Sequence, residues 1–130
     1  MTTDLWMLVL SAVLCLSIPL VSVTGLLAQT GGSAWGFGNR DEPFAVPKWV
    51  SRTRRAHANM VENLAPFACL VLVAHLTGKA NATTALGAEL FFAGRLAHAA
   101  VYIAGIPVVR TLVFGVSVVG NVMILMQLLR

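Results

Sequence analysis

Between Leu5 and Leu27 the chain reads LWMLVLSAVLCLSIPLVSVTGLL, with no Asp, Glu, Lys or Arg anywhere in the run. A helix needs about 20 apolar residues to cross a ~30 Å hydrocarbon core, and this segment meets that length without interruption. Further spans follow over residues 59–76, 85–106 and 111–129. Backbone polar groups cannot be left open to lipid, so helices rather than open strands must supply such crossings. Composition agrees: 58% of the 130 residues are apolar and only 11% are charged. A soluble domain carries roughly 25% charged residues, so a water-soluble enzyme, a disordered chain and a coiled coil are all excluded. The sequence predicts an all-α integral membrane protein, a four-transmembrane-helix bundle in one domain over 1–130, with helices over roughly 5–27, 56–77, 84–106 and 110–129. A cleaved leader would carry a basic stretch before a shorter apolar core, whereas Asp4 is the one charge ahead of the first span, so this segment is expected to stay as a helix.

The connections are unequal. AQTGGSAWGFGNRDEPFAVPKW, rich in Gly, Pro and charge, is expected to form one long loop, and the links near 77–84 and 105–110 are short. Cations cluster by side. Arg40, Lys48, Arg52, Arg54 and Arg55 fall in or just after the long loop and Arg110 in the third link, against Lys79 and Arg130 opposite. The net charge of +4 is therefore a topology signal and not a nucleic-acid footprint. Cytoplasmic loops carry the excess of Lys and Arg, which places loops one and three in the cytoplasm and both termini across the membrane. Cys15 and Cys69 lie within apolar runs and read as quiet buried thiols, with no disulfide and no metal site expected.

Polar groups inside spans are costly and face a protein interior or a wet cavity. Arg55, Asn59 and Glu62 are spaced i, i+4, i+7 and fall within about 60° of one another on a helix. Arg95, His98 and Tyr102, at i, i+3, i+7, make a second stripe. The two stripes are most cheaply satisfied by facing each other or a shared ligand, although Arg55 and Glu62 could also be a plain ion pair. Pro66 has no N–H to offer the carbonyl of Glu62, which leaves a free acceptor at the same place. His57 reads as interfacial, His75 as a helix-contact residue and Glu89 as a partner for a helix N-terminus. The glycines at 94, 105, 115 and 120 read mostly as positions of close helix approach.

These residues carry a resemblance. RRAHANMVENLAPF, from Arg54 to Phe67, resembles the second-helix signature of the MAPEG family, the membrane-associated proteins of eicosanoid and glutathione metabolism. GRLAHAAVYIAG, from Gly94 to Gly105, resembles its third-helix signature, and Arg110 stands where the family's catalytic arginine opens the fourth helix. The resemblance implies a homotrimer of four-helix protomers with glutathione as co-substrate, bound between neighbours near the cytoplasmic side. It implies that Arg55 and Arg95 line or brace the site, that Asn59 bonds the peptide and that Glu62 takes the γ-glutamyl ammonium. His98 and Tyr102 would contact the tripeptide. Arg110 would stabilise the thiolate, with Thr111 where some members have Ser. The loop GNRDEPFAVPKWVSR resembles the bacterial branch, implying a bacterial inner membrane.

Three departures stand out. Residues 21–29 hold no cation where eicosanoid-synthesising members have one, Phe114 replaces a tyrosine, and Ala58 replaces an arginine of the prostaglandin branch. The resemblance implies a glutathione-dependent transferase or peroxidase acting on lipophilic electrophiles or lipid hydroperoxides. The fewer cations leave open a non-catalytic, lipid-binding accessory subunit of the same family. A small multidrug transporter also has four spans, but resembles a design with an essential acid in its first helix, and this first span has none.

Overall fold

The computed structural model describes all residues from Met1 to Arg130. It is helical throughout, in the order α1 (Thr3–Leu27), α2 (Gly32–Phe37), α3 (Lys48–Leu76), α4 (Ala82–Ala104) and α5 (Pro107–Leu128). α1, α3 and α5 are each long and apolar enough to cross a membrane. α4 falls outside that set; Glu89, Arg95 and His98 dilute its apolar character.

Local chemistry fixes the helix ends. Asn81 caps α4, its side chain accepting from the backbone of Thr83 at 2.8 Å and Thr84 at 3.2 Å. The Thr84 hydroxyl accepts in return from the Asn81 N–H, a reciprocal box that satisfies orphan donors. At the other end Gly105 takes φ +85, a left-handed backbone that glycine adopts without cost. Pro107 then opens α5, where its missing N–H is harmless. Lys79 donates from Nζ to the carbonyl of Leu128 at 2.6 Å, placing a cation at the C-terminus of α5. Within α1, Ser17, Ser22 and Thr24 turn their hydroxyls onto carbonyls of their own helix, so none needs water.

α4 is the hub. It packs against α1, α3 and α5, whereas α1 and α5 do not touch. Its seam with α5 runs through glycines. A Cβ on Gly87 would lie 2.7 Å from the carbonyl oxygen of Gly120, and one on Gly94 would lie 2.8 Å from the Ser117 nitrogen, so backbones meet where a side chain would hold them apart. Phe67 and Phe91 stack with centroids 3.8 Å apart. With Val71, Ala74, Ala88 and Ile124 they form one core among α3, α4 and α5. Cys15, Ile18, Met60 and Ala99 form a second among α1, α3 and α4.

Several expectations are corrected. The long loop is not structureless: it contains α2, whose Trp35 stacks on Phe44. α3 starts at Lys48, ahead of position 56, because Pro47 suits a helix start and the charged turns that follow favour helix as well as they favour water. Its 29 residues span roughly 44 Å at 1.5 Å each, more than a ~30 Å core, so the basic end projects past the hydrocarbon. Cys69 is exposed, unlike buried Cys15. His75 is also exposed, and Glu89 stands too far inside α4 to serve its first turn, which holds no acid.

Candidate functional site

α3, α4 and α5 leave a cleft of ≈ 270 Å³ lined by Asn59, His98, Tyr102, Arg110, Thr111 and Phe114. Each helix contributes through its own spacing. On α4, His98 and Tyr102 stand one turn apart and their rings meet edge to face at 5.4 Å. On α5, Arg110 and Phe114 stand one turn apart, and Phe114 lies 6.0 Å from His98 between ring centroids. The Arg110 guanidinium sits 4.5 Å from the centroid of Tyr102, close enough for a cation–π contact. That contact aims the cation across the α4–α5 junction instead of letting it extend into solvent. Thr111 spends its hydroxyl on the carbonyl of Pro107 at 3.3 Å.

Arg95 lies behind this lining, 1% exposed. Its Nη2 donates to Asn59 Oδ1 at 2.8 Å and its Nε to Met60 Sδ at 3.4 Å. The guanidinium also lies 5.8 Å from the Phe114 ring. Nη1 is buried with no acceptor. A buried cation whose only oxygen partner is a neutral amide is costly, and it presents positive potential to whatever occupies the cleft. The two polar stripes thus meet directly, through Arg95 and Asn59.

The stripe on α3 is only partly gathered. Asn59 enters the cleft, while Arg55 and Glu62, one turn to either side, stand exposed outside its lining. No group of three or more His, Cys, Asp or Glu side chains comes together in the chain.

Two structural roles go beyond the sequence reading of the site. Phe114, noted there only as the replacement of a tyrosine, closes one wall, and its i+4 spacing from Arg110 places both on one face. Arg52 donates from Nε to the carbonyl of Ile103 at 2.9 Å, holding the end of α4 against the start of α3. A bond between residues this distant in sequence leaves no periodic trace.

The family profile described as MAPEG matches residues 3–130. Microsomal glutathione S-transferase 1 of Sus scrofa is 34% identical over 76 residues, covering 58% of this chain and 49% of that protein. The Homo sapiens protein of the same name is 38% identical over 58 residues, or 45% of this chain and 37% of its own length. The Bos taurus protein is 35% identical over 75 residues, covering 55% and 48%. The chain therefore spans about half, or less, of the curated relatives it matches. With its apolar helices and a family match over nearly its whole length, the chain is an integral membrane protein and belongs to the MAPEG family.

Proposed function

We propose that the protein is a membrane-embedded, glutathione-dependent transferase or peroxidase acting on lipophilic electrophiles or lipid hydroperoxides. The observation that carries this reading is the cleft, where Arg110, Tyr102, His98 and Asn59 converge over the buried Arg95. Glutathione is an anionic tripeptide with a nucleophilic sulfur. Its carboxylates suit guanidinium groups, which bind them bidentately, and Arg55, exposed on α3 one turn from Asn59, takes one. Glu62, on the same face of α3, takes the γ-glutamyl ammonium. Asn59 bonds the peptide through its amide N–H, because its oxygen is already engaged by Arg95. His98 and Tyr102 pack along the tripeptide.

Arg110 supplies the chemistry. A nearby cation lowers a thiol pKa from about 8.5, so the bound thiol loses its proton to solvent and persists as thiolate. The thiolate sulfur then forms a bond to an electrophilic carbon, whose leaving group departs with the electron pair. With a hydroperoxide, it takes the distal oxygen and an alcohol is released after protonation; a second glutathione reduces the oxidised sulfur, giving glutathione disulfide and water. Thr111 is the hydroxyl beside the arginine. The protein contributes orientation and fixed charge.

The exposed acids support an assembly. Glu62 on α3 and Glu89 on α4 are uncovered in the protomer, and charges facing hydrocarbon are expensive. Neighbouring copies and the bound tripeptide cover them in a homotrimer. α4, at 23 residues, reaches roughly 34 Å and is flanked by three apolar helices, so it is the fourth crossing. Loops one and three then face the cytoplasm and both termini the far side of a bacterial inner membrane. A cysteine placed at exposed Ser33 should label only from the cytoplasm.

One observation favours a non-catalytic accessory role instead: residues 21–29 offer no cation toward the site. Ultraviolet absorbance of the thiolate, recorded on protein titrated with glutathione, separates the two readings. Thiolate signal together with conjugation of an aryl halide supports the enzyme. Glutathione binding without thiolate supports the accessory subunit.

A further inference from the structure

A second recess lies away from the cleft, where α1, α2 and α3 meet. One section, ≈ 390 Å³, is lined by α1 residues including Ser22, Val23 and Leu26, by Trp35 and by Arg40 and Arg54. It continues into a ≈ 230 Å³ section that shares Val23, Leu26 and Arg40 and ends at Phe37. No acidic side chain lines either section, and neither shares a residue with the cleft. The two guanidiniums flank one indole, Arg40 at 5.5 Å and Arg54 at 5.8 Å from its centroid. The indole is itself fixed, donating from Nε1 to the carbonyl of Glu42 at 2.6 Å. Arg40 turns back onto the carbonyl of Gly36 with Nε and Nη2, which leaves its Nη1 free. Two oriented cations beside an apolar wall suit an anion attached to hydrocarbon.

α1 supplies the path for that hydrocarbon. Val13, Leu16, Leu20, Val23 and Leu27 are all exposed and fall within about 80° of one another on the helix. They form a continuous stripe that ends in the recess. From Leu16 to Leu27 the stripe runs roughly 16 Å, about one leaflet of a ~30 Å core. Phe37, 89% exposed, lines the second section, an exposed aromatic of the kind found at a membrane interface.

We infer that this recess binds an anionic phospholipid of the surrounding leaflet, its phosphate on Arg40 and Arg54 and one acyl chain along the outer stripe of α1. Phospholipid is the occupant because the wall is continuous with the lipid-facing surface and matches a single leaflet. Basic recesses of this kind at the cytoplasmic face select anionic headgroups.

The test reconstitutes the protein in bilayers of equal phosphatidylglycerol and phosphatidylcholine, re-extracts it in detergent and weighs the retained lipid by native mass spectrometry. Wild type should retain phosphatidylglycerol selectively. Arg54→Gln should lower that selectivity about fivefold, and Arg40→Gln with Arg54→Gln should abolish it. Lys48→Gln removes one exposed cation outside the recess and should change nothing. Val23→Trp fills the acyl track without altering charge and should lower retention of both lipids. All variants should melt with wild type, since none of these side chains is in a core. Equal retention of both lipids by wild type would overturn the inference, as would a Lys48→Gln effect equal to that of Arg54→Gln. Displacement of phosphatidylglycerol by equimolar oleate would also overturn it, reassigning the recess to a free lipophilic carboxylate.

Discussion

Arg95 on α4 donates to Asn59 on α3 across 2.8 Å, and Asn59 is at once part of the cleft lining and the only oxygen partner of that buried guanidinium. In the proposed function, ligand recognition and helix cohesion therefore act through one amide. Asn59→Ala should destabilise the protein by about 3 kcal/mol, because a buried charge loses its acceptor. Asn59→Asp supplies an oxygen and a compensating charge, and should keep the melting temperature at or above wild type while weakening glutathione binding, since the amide N–H is gone. Thermal unfolding in detergent beside a glutathione titration reads both effects. Equal melting of Asn59→Ala and wild type would show that water or another group serves Arg95.

Glu62 is exposed on the protomer and makes no helix contact of this kind. Glu62→Gln should leave melting unchanged and weaken glutathione binding by on the order of tenfold to a hundredfold, the loss of one charged hydrogen bond. A melting temperature that falls in parallel with binding would assign Glu62 to an ion pair and not to the tripeptide.

The role proposed for Arg110 is more demanding than topology. Positive-inside placement counts charge, so Lys would serve, but only a planar fork can stay over the Tyr102 ring and still face a sulfur. Arg110→Ala should retain insertion and glutathione binding, lose the thiolate absorbance and lower kcat a hundredfold or more. Arg110→Lys should recover only part of the thiolate signal. Undiminished absorbance in Arg110→Ala would remove the catalytic assignment.

The α4–α5 seam gives a packing prediction independent of chemistry. A methyl at Gly94 would meet Ser117 N at 2.8 Å and Val113 O at 3.0 Å, and backbone cannot yield as a side chain can. Gly94→Ala should cost about 1–3 kcal/mol. At Gly115 a methyl meets nothing within 4 Å, so Gly115→Ala should raise stability by up to ~1 kcal/mol. A loss of stability at Gly115 would reveal a neighbouring copy against that face.

The sequence and the structure agree most closely where a pattern is local. The absence of charge from 5–27 marks α1, and the spacing of Arg95, His98 and Tyr102 puts His98 and Tyr102 on one face, where their rings meet. The spacing of Arg55, Asn59 and Glu62 named one face of α3 but could not say that Asn59 alone enters the cleft. That depends on where α4 crosses α3, a register held by the Phe67–Phe91 stack and the Arg95–Asn59 bond. α2 is hidden because GSAWGF is too short and too rich in glycine to show a period, and its order comes from Trp35 packing against Phe44 and bonding the Glu42 carbonyl, outside the helix itself. The early start of α3 was hidden because charge reads as loop when only the membrane is considered, although a helix continues happily into water. Arg52, which ties Ile103 to α3, was legible only as one more cation.

Because Gly87, Gly94 and Gly120 join α4 to α5 backbone against backbone, His98, Tyr102, Arg110, Thr111 and Phe114 travel as one rigid body. Asn59 rides on another. Any breathing of the cleft is then a slide of α3 past the α4–α5 pair, tethered at its middle by Arg95 and at its basic end by Arg52. In the proposed function, a bulky lipophilic substrate enters by stretching those two tethers, and their compliance, more than the width of the cleft at rest, sets how large a guest the cleft admits.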